Sequence, residues 1–481
     1  MYLGIDLGST NIKAALYDEK MNLKDRKSIP VTYIRENGFV EFDAKVYAEN
    51  LVSLLSGMLK ENGVKSVLEI AFTGQAESLV CVGEDGLPLM NAISWMDERS
   101  VDECEELIKL FTKEECEAVT GQQAVLPTWP ATKILWLKRN RSEIYENTKT
   151  YMLIKDYIVY YLTGVKVSDM SIATFSFYFD IYKKCYWKKM LDAIGITEDK
   201  LPALCEPCSV AGMLKGEIAE KLGLSGDTKV NVGTLDHFAG MIGTGNIGMG
   251  KITLSTGTVM AMATFSKEPC DDIRGIAMHY GFLPDTHIML PVAESGGVSL
   301  EWFKNTCLKD VSFKDIDIEA EKRRGNELLF LPYVVGTNSP EFDSRATGVF
   351  WGLRQEHDAY DMALSVMEGV GFLLKKNLQY IEKNGSSAKA IIATGGGSKS
   401  DLWCQLQADI TNLPILVPEE KEAACLGAAI IAAVEDGKVE SFEKMAESIR
   451  FEKTFTPVKS ELLDEKYKKF NALYEFSCNL K

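Results

Sequence analysis

The sequence predicts an α/β protein of two similar lobes with a cleft between them. Three observations carry that prediction. The chain has 481 residues, well beyond the roughly 250–300 at which a single core stops growing. A strand–turn–strand unit with glycine and hydroxyl residues at its turn occurs twice, about 245 residues apart, near half the chain. A third glycine-rich turn, late in the chain, joins a short apolar strand to a helical stretch.

The first copy opens the chain. Tyr2–Leu7 and Ile12–Tyr17 are apolar, strand-like runs joined by Gly8-Ser9-Thr10-Asn11, residues suited to a tight hairpin turn. Between 43 and 62, Val46, Leu51, Leu54, Leu55, Met58 and Leu59 recur at helical spacing. Val67–Phe72 reads as a strand and ends in Thr73-Gly74-Gln75-Ala76-Glu77, the kind of strand-end loop where α/β folds place ligands. Residues 101–165 are mostly helical in pattern, and 166–187, rich in Ser, Thr, Phe and Tyr, read as irregular or β. Val230–Leu235 is a further strand, followed by Asp236-His237-Phe238 and the helix-like Ala239–Ile242. The second hairpin spans Lys251–Phe265 around Ser255-Thr256-Gly257-Thr258. Ala390–Ala393 then runs into Thr394-Gly395-Gly396-Gly397-Ser398 and a helix over Asp401–Thr411. The repeat places one lobe at 1–247 and the other at 248–481.

Composition narrows the function. The chain is 46% hydrophobic and 25% charged, with a formal net charge of −16. A negative field of that size argues against nucleic acid and anionic membranes as partners. Nucleotide binding stays open, because a few backbone N–H groups and one Mg²⁺ hold a polyphosphate locally. The N-terminus lacks a basic, then apolar, leader pattern, and no apolar run reaches the ~18 residues of a spanning helix. The eleven cysteines are scattered and odd in number, which fits a reducing, cytoplasmic setting better than a disulfide framework. Cys205-x-x-Cys208 has no second Cys or His pair beside it and reads as coincidence rather than a zinc site.

Each glycine–hydroxyl turn ends an apolar strand. Glycine lets the backbone approach a phosphate, and successive N–H groups form an anion nest. None of the three matches G-x-x-x-x-G-K-[ST] or G-x-G-x-x-G, so neither a P-loop nor a dinucleotide fingerprint is present. Two hairpins and a glycine-rich loop before a helix suit a clamp on ATP.

The ordered motifs resemble the FGGY carbohydrate kinases, on the actin-like (ribonuclease H-like) ATPase fold, over nearly the whole chain. Gly4-Ile5-Asp6-Leu7-Gly8-Ser9-Thr10-Asn11-Ile12-Lys13 is similar to the family's first phosphate motif, Ser255–Thr258 to the second, and Gly395–Ser400 to the adenosine motif. Trp95-Met96-Asp97-Glu98-Arg99 matches a W-x-D-x-R element, and Lys133–Leu137 the core of one signature, with Thr128 a departure from it. Gly348–Leu353, Asp361-Met362 and Ser365–Glu368 match the other signature. The resemblance implies that Asp236 is the base accepting the sugar hydroxyl's proton; by itself the residue reads as a helix N-cap. It implies Mg²⁺ near Asp6, otherwise a turn former. It carries ATP contacts to Ser9, Thr10, Asn11, Lys13, Thr256, Gly257, Thr258, Gly297, Glu301, Gly396, Gly397 and Ser400; Lys13 reads equally as a solvated hairpin lysine. Closure of the lobes over the substrates, and a homodimer, are further expectations of the family.

On the sugar side the resemblance points to Gln75, Ala76, Glu77, Trp95 and His237. Xylulose-type members carry Gly-Gln-Met-His-Gly at this loop and glycerol-type members Arg-Glu. Gly74-Gln75-Ala76-Glu77-Ser78 departs from both. Trp95 and Trp129 read either as pocket walls or as core. A ketopentose such as xylulose is the expected acceptor, with glycerol or another polyol or sugar acid as the alternative. An actin-like ATPase or sugar sensor without kinase activity is the alternative of another class.

Overall fold

A computed structural model of the chain describes residues 1–266 and 276–480. The chain divides into two compact units. The first comprises Met1–Ile247, Met278–His287 and Glu422–Ile449; the second comprises Gly248–Ala277, Ile288–Lys421 and Arg450–Lys481.

The first unit is built on a six-stranded sheet. Its strands are β1 (Tyr2–Leu7), β2 (Asn11–Tyr17), β3 (Leu23–Pro30), β4 (Glu69–Gly74), β5 (Val210–Met213) and β6 (Lys229–Leu235), in the order β5-β6-β4-β1-β2-β3. β1 and β2 form the antiparallel hairpin expected of Gly8–Asn11. β4 pairs in parallel with β1 on one side and with β6 on the other, so three strand ends open on the same edge. Both faces of β4 are covered, and its six residues are all buried, as a central parallel strand requires. β3 closes one side with an exposed, charged run, Lys24-Asp25-Arg26-Lys27, which guards a free strand edge. Its lack of apolar alternation hid it from the sequence pattern.

Helix Ala44–Glu61 lies on this sheet. Asp43 caps it, accepting from the backbone N–H groups of Lys45 and Val46, and Leu51, Leu55, Met58 and Leu59 join the core. Val46, part of the helical pattern, faces solvent. A second helix, Ala423–Glu435, arrives from far along the chain and packs on β1 and on helix Asp236–Gly243. Its sequence, AACLGAAIIAAVE, is apolar all round, the composition of a helix buried on every face. Small residues let backbones meet. A Cβ on Gly4 would sit 1.9 Å from the Cys425 carbonyl oxygen, and one on Gly427 1.8 Å from that of Ala239. Neither contact tolerates alanine without moving a backbone.

The second unit repeats the plan. β7 (Lys251–Thr256) and β8 (Met260–Ser266) form the second hairpin. β9 (Ala390–Thr394) runs parallel to β7, and β10 (Ile415–Pro418) parallel to β9. β11 (Phe451–Phe455) closes the set antiparallel to β10. The order β8-β7-β9-β10-β11 matches β2-β1-β4-β6-β5 in position and direction, while the outer strands differ in connection, β5 preceding β6 in the chain and β11 following β10. The two sheets thus share the central arrangement that the repeated hairpins suggest. Helix Ala359–Lys383 packs on helix Asp401–Thr411 and starts at a capping box formed by Asp358 and Asp361. Elsewhere, 166–187 mixes short strands (Val167–Asp169, Phe179–Asp180, Cys185–Tyr186) with two short helical turns.

Fully buried Glu69, on β4, bonds Asn231 of β6 at 2.8 Å, while its other carboxylate oxygen has no hydrogen-bond partner. Burial raises its carboxyl from the ordinary 4.5 to about 7, with Glu435 and Asp436 adding to the shift and Asn231 and Lys229 opposing it. The folded protein thus keeps a proton that the unfolded chain releases near 4.5, and stability falls as pH rises through that window. Glu69→Gln keeps the acceptor oxygen and removes the charge. The expected result is a melting midpoint higher by on the order of 3–6 °C at pH 8 and unchanged at pH 4, read by thermal melts at both.

Candidate active site

In the first unit, Asp6 near the end of β1, the 75–77 loop after β4 and Asp236 after β6 share one edge of the sheet. The carboxyl ends of parallel strands are where α/β sheets bind ligands. Asp6 is half-buried. Burial, then the charge of Asp236, raise its carboxyl from 3.8 to about 7; Lys13 opposes the shift and Glu422 adds to it. A hard carboxylate oxygen held beside a second acid is suited to a divalent cation. Among the described residues no cluster of three or more His, Cys, Asp and Glu could hold a metal. Asp6 and Asp236 offer carboxylate oxygens, the donor type that Mg²⁺ takes, an ion that keeps waters and uses few carboxylates.

Ser9, Thr10 and Asn11 form the β1–β2 turn, with Thr10 exposed. Lys13, two residues into β2, is held rather than free: its Nζ lies 2.6 Å from the Glu422 carboxylate, just before helix Ala423–Glu435. Both side chains are about a third exposed, so the pair orders the lysine more than it stabilises the fold.

Gln75 is buried and turned inward. Its Nε2 donates to the Gly8 carbonyl at 3.3 Å, and its Oε1 accepts from Ser78 at 2.9 Å. Ser78 in turn accepts from the backbone N–H of Trp95 at 3.0 Å. Gln75 therefore ties the loop to the hairpin turn and to Trp95, whose ring is 40% exposed. Ala76 is half-buried, and Glu77 takes a left-handed φ of 65°. That strained corner is held by Lys133, whose fully buried Nζ donates to the carbonyls of Ser94 (2.8 Å) and Glu77 (3.2 Å). Burial pushes the Glu77 carboxyl up, with Lys133 and Thr128 opposing. Burial pushes the Lys133 ammonium down, with Glu77 opposing. Trp129 stacks on Phe177 at 5.6 Å and donates to the Ala124 carbonyl, so it is core.

Asp236 is the first residue of helix Asp236–Gly243, and Leu235 holds the N-cap position without a side-chain bond. The Asp236 carboxylate accepts from the backbone N–H of His237 at 2.6 Å and is half-buried. His237 has a neighbour that pattern did not suggest, His279. That ring stacks on Phe175 at 4.5 Å, and its Nδ1 lies 3.3 Å from Gln122 Nε2. Burial, helped by His237, lowers the His279 imidazole to about 3, so it stays neutral.

The second unit holds a cavity of about 1100 Å³. Thr256, Gly257, Thr258, Gly297, Glu301, Gly396, Gly397 and Ser400 all line it. Backbone bonds draw their segments together: Gly297 N–H to Gly257 O (2.7 Å), Val298 N–H to Thr258 O (3.1 Å). The turn after β7 thus meets the start of helix Gly297–Cys307. Ser400 caps helix Asp401–Thr411 by accepting from Trp403 N–H at 3.0 Å. Glu301 is exposed at the rim. Apolar walls come from Leu300, Phe313, Ile318 and Trp403, suited to the flat faces of a nucleoside. Asp317 also lines the cavity, hydrogen-bonded to Ser400 and shifted upward by burial. Helix Phe313–Glu321, which supplies Phe313, Asp317 and Ile318, has no motif in it. Lys133 stood inside a recognised motif without a role, and its full burial is a tertiary fact that spacing does not express.

A doubled α/β sheet with a glycine–hydroxyl hairpin in each half and carboxylates at its strand ends is the build of a nucleotide-dependent phosphotransferase. The N-terminal domain of the FGGY family of carbohydrate kinases matches residues 1–243, and its C-terminal domain residues 250–435. The chain is 30% identical to the xylulose kinase of Bacillus subtilis over 98% of its length and 95% of the relative's. It is 28% identical to the gluconokinase of the same species, over 99% and 95%. The structure of ligand-bound xylulose kinase from Lactobacillus acidophilus superposes with a TM-score of 0.91 at 26% identity, covering 100% of this chain and 97% of that one. The chain belongs to the FGGY family of carbohydrate kinases and is an ATP-dependent sugar kinase. Among the described residues no helix is long and apolar enough to cross a membrane.

Proposed function

We propose that the chain transfers the γ-phosphoryl group of ATP to a hydroxyl of a neutral ketopentose such as xylulose, with Asp236 as base and Mg²⁺ beside Asp6. The observation that carries this reading is the pair of acids at one sheet edge, close enough for the charge of Asp236 to raise the Asp6 carboxyl. Phosphoryl transfer needs alignment and charge neutralisation above all, with an acceptor for the attacking hydroxyl's proton. The Asp236 carboxylate accepts that proton as the sugar oxygen forms its bond to the γ-phosphorus and the bond to ADP breaks. Asp6 would hold the cation's water shell, and the metal, when bound, neutralises charge on the phosphates. The hairpin turns, through Ser9, Thr10 and Asn11 in one unit and Thr256, Gly257 and Thr258 in the other, offer N–H and hydroxyl donors to phosphate oxygens. Gly297, Glu301, Gly396, Gly397 and Ser400 face the adenosine. Lys13, already paired with Glu422, supplies positive potential near Asp6 rather than a free phosphate ligand.

The sugar assignment rests on the chemistry of Gln75, Ala76, Glu77, Trp95 and His237. Gln75 shapes the loop through its bonds to Gly8 and Ser78, and the others bring a carboxyl, an exposed indole and an imidazole; Lys133, the cation beside Glu77, is buried with its Nζ bonded to the Ser94 and Glu77 carbonyls. Hydroxyls and C–H faces suit that set; the carboxylate of a sugar acid does not, since it would meet Glu77. Similarity to xylulose kinases supports the same choice, and similarity to gluconokinases makes the sugar acid the alternative.

A panel of ketoses, polyols and aldonates, read by ADP release, tests the acceptor. Xylulose is expected to exceed glycerol and gluconate in kcat/KM by at least about tenfold. Preference for gluconate or glycerol would overturn the assignment, and ATP hydrolysis indifferent to every sugar would overturn the kinase chemistry. For the metal, Asp6→Asn should raise the Mg²⁺ concentration giving half-maximal rate by roughly tenfold or more. An unchanged Mg²⁺ dependence would remove Asp6 from that role.

A further inference from the structure

The strand that delivers Asp236 is interrupted just before it. β6 shifts register against β4 between Asn231 and Thr234, a bulge with Gly233 at φ 66°. Any side chain at 233 would collide with β4, since a Cβ there would stand 1.5 Å from the Phe72 carbonyl oxygen. Bulges beside active sites re-aim the residues that follow them. They also free backbone groups from the ladder, and buried groups of that kind need partners.

Every one of those groups has one. Val232 N–H bonds the Ser209 carbonyl at 2.9 Å, and Cys208 N–H bonds the Gly233 carbonyl at 2.7 Å. Gly233 N–H donates to the Asn231 side chain at 2.8 Å. The remaining bonds come from a single charged cluster. Lys155 donates to the Val232 carbonyl at 2.8 Å and to the Asp169 carboxylate at 2.5 Å. Asp169 accepts from the hydroxyl and N–H of Ser171 and from Ile172 N–H. The Ser171 oxygen then reaches β6 twice, 2.7 Å from the Thr234 hydroxyl and 3.4 Å from Leu235 N–H. Lys155, Asp169, Ser171 and Thr234 are all buried to within 1% exposure. A buried ion pair is weak support for stability on its own, because desolvation offsets much of its attraction. Its geometry here is directed at one place, the stretch Val232–Leu235 leading into Asp236.

We propose that Lys155, Asp169 and Ser171 are positioning residues that clamp the β6 bulge and so set the Asp236 carboxylate against the acceptor hydroxyl. The proposal rests on Asp236 being the base. Lys155 and Asp169 fix the Ser171 hydroxyl, and Ser171 holds the Thr234–Leu235 peptide, one peptide short of the bond into Asp236. Misplacing a reacting group by about 1 Å is enough to cost roughly 10²-fold in rate.

The test is a double-mutant cycle between Ser171→Ala and Asp236→Asn on the full chain. Ser171→Ala leaves the Lys155–Asp169 pair and the helix-capping N–H bonds in place. The expected result is a loss in kcat of roughly 10–100-fold, with the KM for ATP and the melting midpoint unchanged. Ser171→Thr should restore most of the rate. In the Asp236→Asn background Ser171→Ala should cost nothing further, the mark of a residue acting through the base. Wild-type kcat for Ser171→Ala, or the same loss in both backgrounds, overturns the clamp and leaves the base standing. Full activity of Asp236→Asn overturns base and clamp together. If Ser171→Ala does not fold, Thr234→Val removes the 2.7 Å contact alone and must show the same non-additive loss.

Discussion

Helix Ala423–Glu435 must reach the first sheet backbone to backbone, and the rest of the site follows from that contact. Gly4 in β1 and Gly427 in the helix have no side chain to intervene, so carbonyls of Cys425 and Ala239 lie where a methyl group would be. The contact brings Glu422, just before the helix, onto Lys13 of the first hairpin. It also seats helix Asp236–Gly243, whose first residue is Asp236, against the same surface. Three segments distant in sequence are thereby registered on one edge of one sheet. Interiors packed this closely transmit small displacements rather than absorb them, so the acids at the strand ends inherit their positions from the fit of this helix.

Electrostatics then decides what the edge can do. A chain of net charge −16 that handles ATP has to concentrate its attraction locally. In the first unit the hairpin turn presents N–H groups, Lys13 is ordered by Glu422, and the Asp6 carboxyl is raised by burial and by Asp236. Two neighbouring acids are unfavourable without a cation and favourable with one. The second unit works differently, offering a roomy, largely apolar cavity floored by glycine turns. The paired acids thus belong to the first unit and the cavity to the second.

The hairpins, the Gly395–Ser400 loop, helices 44–61 and 401–411 and the two-lobed α/β class were legible because they are local. Turn glycines, caps and apolar periods write themselves into a few consecutive residues. What escaped reading depends on distant partners. β3 carries no apolar alternation because it guards an edge, and Val46 fits the helical period yet faces water. Lys13 looked like a phosphate ligand or a solvated lysine, and its partner Glu422 lies 409 residues away. Asp236 looked like a helix cap, while in the fold Leu235 takes that position. Lys133 stood in a motif without a role of its own, and no local pattern marks Lys155 or Asp169. Only tertiary packing shows them buried, with the two ammonium groups bonded to the backbone of Glu77 and of β6 and Asp169 joining Lys155 to Ser171.

Single-turnover transfer by Asp236→Asn, with ATP affinity measured on the same protein, tests the central claim most directly. The account predicts unchanged ATP binding and a fall in phosphoryl transfer to xylulose of roughly 10²–10⁴-fold. Transfer at near wild-type rate by a folded Asp236→Asn protein would contradict it.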